Sequence, residues 1–199
     1  MSLINFGELD TSNSDEHLSE RSGKQAVCKV GLPELSALSL SNLSELAQSL
    51  PMFHQIYFLW SLKSFNAFAF IHFVLQQRAA IDELVISSYN ITREIFIKLL
   101  ALLDEGSIRH MHLTLSDVAK SRFPLVYDLV NGEASRRDNL EVLYLWNHSK
   151  VTLMRCGSDH FIVEGSGNFS ENSRHEQYVF LNNPQIYEFR SAWIKNSIN

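Results

Sequence analysis

The sequence predicts an α/β domain: a mixed or mostly parallel sheet flanked by helices on both faces. Two observations predict it. Short runs rich in β-branched and aromatic residues alternate with helical segments in which apolar positions recur every three or four residues. The chain has 199 residues, 45% of them hydrophobic and 20% charged, which suits one globular domain with its own core.

The elements follow in chain order. Residues 1–24 are polar and rich in Ser, Asn, Asp and Glu, which predicts a mobile N-terminal tail and leaves 25–199 as the domain. Leucines spaced three and four apart predict a short amphipathic helix over Ser41–Leu50, stopped by Pro51. Gln55–Leu62 reads as a strand. Asn66 predicts a helix cap, with the helix running to about Arg78 and turning Phe68, Ile71, His72 and Leu75 to one side. Glu83–Tyr89 reads as a second strand. Thr92 opens a helix with Glu94 in its first turn and Ile95, Phe96, Leu99, Leu100 and Leu103 as its apolar set; Gly106 stops it. Ile108–Leu115 alternates and reads as a third strand. Phe123–Val130 predicts a helix ending at Asn131-Gly132. Leu140–Trp146 is a fourth strand that runs directly into His148. Val151–Arg155 and His160–Glu164 predict a hairpin turning over Gly157–Asp159. Tyr178–Leu181 is a late strand, and Pro184–Ile194 a closing helix.

Composition excludes some functions. The formal charge of -5 provides no general attraction to nucleic acid or to an anionic membrane, so any phosphodiester site needs local positive charge. Lys120, Arg122, Arg136 and Arg137 are short clusters that read as solvated surface. The two cysteines, Cys28 and Cys156, make no disulfide scaffold and read as reduced thiols of a cytoplasmic protein. No basic segment leads into an apolar core at the start, so no signal peptide is expected. Phe53–Leu75 is apolar but carries His54, Gln55, Lys63, Asn66 and His72, which argues against a membrane span. Its aromatics read as core and self-interface rather than as a base-stacking platform. His110 and His112 share a strand face without a matching Cys or carboxylate spacing, so no metal is expected there.

The residues suited to chemistry lie between Asn147 and Glu176. His148 and Lys150 stand two apart at the end of a strand, hence on one side of the chain. A neutral imidazole can attack phosphorus, and an ammonium beside it can neutralise non-bridging oxygens. Gly165-Ser166-Gly167-Asn168 brings a hydroxyl and an amide into a tight turn, where they can approach a phosphate. Glu176 can accept the second ring N–H of a histidine and set its tautomer.

His-x-Lys followed by Gly-Ser-x-Asn and a downstream Glu resembles the motif of the phospholipase D-like superfamily. The ending Asn172-Ser-Arg174-His-Glu176 is most similar to small single-motif members from bacterial prophages and mobile elements. The resemblance implies the superfamily's α/β fold and a metal-independent phosphodiesterase without cofactor. It implies His148 as nucleophile or general-acid counterpart, Lys150, Ser166 and Asn168 as phosphate ligands, and Glu176 as the group orienting a histidine. The family's Asp falls at position 155, where this chain has Arg155, a candidate further phosphate contact; the nearest acid is Asp159. No second His-x-Lys occurs, and the family uses two facing motifs, so the resemblance implies a homodimer with the site on its two-fold axis. A DNA nuclease is the expected activity. The alternatives are a degenerate nucleic-acid-binding or phosphate-binding module of a mobile element, and a structural protein that merely inherited the fold.

Overall fold

The computed structural model describes residues 36–40, 49–53, 55–62, 66–170 and 175–196. The expected tail, most of the expected helix Ser41–Leu50, Cys28, Asn172 and Arg174 lie outside them. The described strands are β1 Ser36–Leu40, β2 Gln55–Leu62, β3 Ile81–Ser88, β4 Ile108–Ser116, β5 Leu140–Leu145, β6 Val151–Cys156, β7 Asp159–Gly165 and β8 His175–Asn182. The helices are α1 Ala67–Leu75, α2 Arg93–Asp104, α3 Ala119–Arg122, α4 Pro124–Ala134 and α5 Pro184–Asn196.

The strands form one eight-stranded mixed sheet in the order β1-β2-β8-β7-β6-β3-β4-β5. β3, β4 and β5 run parallel, as does the β1–β2 pair; the pairings of β6, β7 and β8 are antiparallel. Helices cover both faces. Phe70, Ile71 and Val74 of α1, Phe96 and Leu99 of α2 and Val130 of α4 pack with Leu84 and Ile86 on one side. Tyr187 and Ile194 of α5 pack with Val85, Leu153 and Ile162 on the other. β3 lies in the middle of the sheet with both sides covered, and its Leu84-Val85-Ile86 run and the two serines that follow are buried.

Local signals explain the boundaries. The Asn66 side chain accepts from Phe68 N at 3.0 Å and starts α1. Thr92 Oγ1 accepts from Ile95 N at 3.3 Å and starts α2, whose buried set is Ile95, Phe96, Leu99, Leu100 and Leu103. Gly106 and Gly157 take positive φ, of 76° and 58°, after α2 and in the β6–β7 turn. Two expectations need correction. His72 is exposed, while Phe70, Phe73 and Val74 are buried, so α1 buries more than the expected stripe. α4 continues through Asn131-Gly132, since Gly132 keeps ordinary φ and Asn131 Nδ2 donates to Tyr127 O at 2.9 Å. Ser36–Leu40 is a strand pairing along β2, where the leucine spacing showed only a helical rhythm further on.

One half-buried carboxylate fastens α5 to the sheet. Glu83, on the α5 face of β3, accepts from Tyr187 Oη at 3.0 Å and from Lys195 Nζ at 2.6 Å, near the two ends of that helix. His112 Nε2 lies 3.4 Å away and Arg155 Nε 3.9 Å. His112 also meets Glu141 at 3.0 Å, so it is committed to carboxylates; among the described residues no cluster of metal ligands occurs. Among them, too, no helix is long and apolar enough to cross a membrane. The His112 hydrogen bond, followed by Lys195 and Tyr187, holds the Glu83 carboxyl well below its usual range against the opposing effect of burial. A depressed carboxyl stabilises the fold above its unfolded value, 4.5, and that contribution disappears as pH falls through the folded value. Glu83→Gln should therefore lower unfolding free energy by about 1.5–3 kcal/mol at neutral pH. Denaturant titrations of both proteins should show the gap closing in acid; an unchanged midpoint at pH 7 would show that Glu83 does not hold α5.

Candidate functional site

The site forms where the parallel strands end. β5 and β6 are separated by β4 and β3, so residues 146–150 must cross the carboxyl ends of those strands. A ring of side chains pins this crossing. Asn147 Nδ2 donates to Ser87 Oγ at 3.0 Å and to Ser88 O at 3.3 Å. Ser149 Oγ donates to Asn147 Oδ1 at 2.7 Å, and Ser149 N donates to the same oxygen at 2.9 Å. The Ser87 and Ser149 hydroxyls meet at 2.5 Å. Since Ser149 already gives its proton to Asn147, Ser87 donates to Ser149, and the ring closes with each hydroxyl donating once.

Ser149 commits its hydroxyl to this ring, and it lines the pocket together with its neighbours His148 and Lys150. Lys150 Nζ donates to His148 O at 2.8 Å and sits 3.2 Å from His148 Nδ1. Burial pulls the Lys150 ammonium below its usual range, and the Glu176 carboxylate partly opposes that. The Tyr89 ring lies against the His148 ring with centroids 5.0 Å apart, and Arg122 donates to Tyr89 Oη at 2.7 Å.

The opposite wall comes from β7 and β8. Gly165 N donates to Lys150 O at 3.2 Å, and Ser166 exchanges backbone and side-chain hydrogen bonds with Gln177 at 3.1 Å each. Ser166 Oγ donates to Glu176. Asn168 Oδ1 accepts from Ser88 Oγ at 3.4 Å, and the next residue, buried Phe169, anchors the turn through its bridge to Ile91 and its carbonyl, which accepts from Thr92 N at 2.9 Å. His148, Lys150 and Ser166 line one cavity of about 510 Å³, together with Glu164, Arg190 and Trp193. Arg190 grips Glu164 with two hydrogen bonds of 2.6 and 2.9 Å.

The structure thus brings His148, Lys150, Ser166 and Glu176 together and puts Asn168 on the adjoining turn. It does not bring Arg155 to them. Arg155 lies four residues along β6 from Val151, roughly 13 Å away, and faces Glu83, its register partner on β3. Asp159 is likewise elsewhere, paired with Arg78 at 2.8 Å. Within one chain Glu176 meets a serine hydroxyl, not a histidine ring. His175 stacks on Trp60 with centroids 4.6 Å apart. Asn147 and Ser149 sat inside the motif run without an assigned role. Arg122 was read only as surface charge, and its link to His148 through Tyr89 has no signature in the sequence. Arg190 and Trp193 arrive from α5, again without a local signal.

No family model and no curated protein matches this sequence. Solved structures do. The polyphosphate kinase of Porphyromonas gingivalis superposes with TM-score 0.55 and 17% identity, over 81% of this chain and 27% of that one. The fold is phospholipase D-like. Two more distant similarities are phosphatidylserine synthase of Haemophilus influenzae Rd KW20 (TM-score 0.43, 16% identity, 72% of this chain and 38% of that one) and TrmBL2, an archaeal chromatin protein (TM-score 0.43, 10% identity, 77% and 56%). This chain spans about a quarter of the kinase's length. At these identities the likeness is one of fold, so the site in this phospholipase D-like sheet is argued from its own residues.

Gly165 shows what the motif glycine does. A Cβ there would meet the Gln177 carbonyl oxygen at 2.3 Å and the Tyr178 ring at 2.5 Å. The missing side chain lets β7 pass β8 where Ser166 and Glu176 meet, a packing need rather than room for a ligand. Gly165→Ala should destabilise the fold by about 1–3 kcal/mol, measured by thermal or denaturant unfolding. A variant as stable as the parent would mean that β7 and β8 can separate here without cost.

Proposed function

We propose that the chain is a phosphodiesterase of the phospholipase D-like superfamily, of the single-motif type, acting as a metal-independent nuclease on DNA. The observation that carries this reading is the shared cavity of His148, Lys150 and Ser166 at the carboxyl end of the sheet. An imidazole, an ammonium and a hydroxyl converge there, as handling a phosphodiester requires.

Lys150 donating to Nδ1 leaves the ring proton on Nε2 in the free protein. A bound phosphodiester offers Lys150 a charged acceptor. As the ammonium turns to the non-bridging oxygens, Nε2 gives its proton to solvent while Nδ1 takes one from it, and Nε2 is freed to attack. The P–Nε2 bond forms and the P–O bond to the leaving group breaks. The imidazolium of a second copy protonates the leaving oxygen; as neutral imidazole it then takes a proton from the water that cleaves the P–N bond, restoring His148. The second copy sits across a two-fold axis through the site, doubles the Lys150 charge, and offers its own histidine to Glu176.

A binding-only reading has one observation in its favour: Arg155 stands where the superfamily motif has Asp. Against it, Arg155 belongs to the Glu83 network and lies outside the cavity.

Purified protein incubated with plasmid and single-stranded DNA in EDTA, from pH 5 to 8, distinguishes the two. Cleavage should persist in chelator, and His148→Ala should reduce it roughly 10³-fold or more. Intact DNA at every pH would leave the binding module or a structural protein. Cleavage that is unchanged in His148→Ala would end the phosphohistidine route. A separate measurement uses DNA affinity against pH. Because burial lowers the Lys150 ammonium, affinity should fall, as pH rises, at a lower pH than an ordinary lysine would dictate. Lys150→Ala should weaken binding and flatten that fall; binding that is indifferent to Lys150→Ala would move the anion site elsewhere.

A further inference from the structure

The α5 side of the cavity carries two indoles that the chemistry above does not use. Trp146 stands two residues before His148 and is 83% exposed; Trp193, on α5, is 43% exposed. Trp193 lines the His148–Lys150–Ser166 cavity and also the hollow beside it, about 260 Å³, whose rim includes Trp146. Leu145 and Ile194 line that second hollow together with buried Ser87 and Thr114 and with Asn147, which is committed to the ring with Ser87 and Ser149. Two exposed indoles beside a cavity that holds a lysine match one nucleotide. Its base stacks on the indoles and its phosphate lies at Lys150. A paired base keeps its faces inside the duplex.

We propose that Trp146 and Trp193 form a stacking platform for an unpaired base flanking the phosphodiester, which makes single-stranded nucleic acid the preferred ligand. The proposal rests on the phosphodiester reading of the adjacent cavity.

The full chain carrying His148→Ala, so that no strand is cut, serves as the binding protein. The probes are a short oligodeoxythymidylate, an abasic strand of equal length and charge, a duplex, and vesicles of phosphatidylcholine with phosphatidylserine. The base-bearing single strand should bind about tenfold tighter than the abasic one, or more. Trp146→Ala and Trp193→Ala should each remove most of that advantage and leave abasic affinity unchanged, while Trp146→Phe, which keeps a flat ring, should retain it. Equal affinity for the base-bearing and abasic strands overturns the proposal. Tighter binding to duplex or to vesicles overturns it as well. So does a parallel loss for both strands in the Trp→Ala variants, since the indoles would then be structural. Lys150→Ala separates this idea from its premise: both strands should weaken together. If neither weakens while the indole effects persist, the phosphate pocket fails and the platform stands alone.

Discussion

The connection from β5 to β6 is the constraint on which the site depends. Two strands, β4 and β3, lie between its ends, so the chain must cover three strand spacings, roughly 14 Å. Six Cα steps from Leu145 to Val151 reach roughly 20 Å at most. Residues 146–150 therefore cross the carboxyl ends of the parallel strands with limited slack, and the Ser149 N–H donated to Asn147 Oδ1 bends them. The Asn147–Ser87–Ser149 ring pins the crossing. The cavity edge lies here because the β5–β6 connection crosses these strand ends.

The second support comes from the far face. Glu83 holds Tyr187 and Lys195, and between them α5 presents Arg190 and Trp193 to the cavity. Arg155 shares the same network. Arg155 thus sits among the charges that seat a helix, not among those facing the cavity. A carboxylate facing it from β3 balances the changed sign. This separates the question of motif degeneracy from that of pocket chemistry: β6 contributes to the cavity at its start and to the α5 anchor near its end.

Much of this was legible in the residues. The β-favouring residues of QIYFLWSL, the Asn66 and Thr92 caps, the apolar set of α2 and the Gly157 turn all act through near neighbours, and each appears in the structure close to where it reads. Other features escaped because their causes are distant. Asn131-Gly132 looks like a stop, but a side-chain hydrogen bond one turn back carries α4 through it. Lys120 and Arg122 look alike in sequence, yet Arg122 alone reaches Tyr89, whose ring borders His148. Gly165 looked like room for a phosphate, but the neighbouring strand needs that space.

The sequence by itself determined the α/β class, most element boundaries and the short list of His148, Lys150, Ser166, Asn168 and Glu176. Capping, alternation and turn chemistry operate within a few residues and leave their mark in linear order. Only the tertiary structure decided that β5 and β6 are not neighbours, that Glu176 meets Ser166, that Arg155 belongs to Glu83, and that α5 brings two further side chains to the cavity. Those outcomes depend on strand order and on contacts between residues up to about a hundred positions apart, such as Glu83 with Lys195. Long-range pairing is set by the packing of whole layers, and no local pattern encodes it.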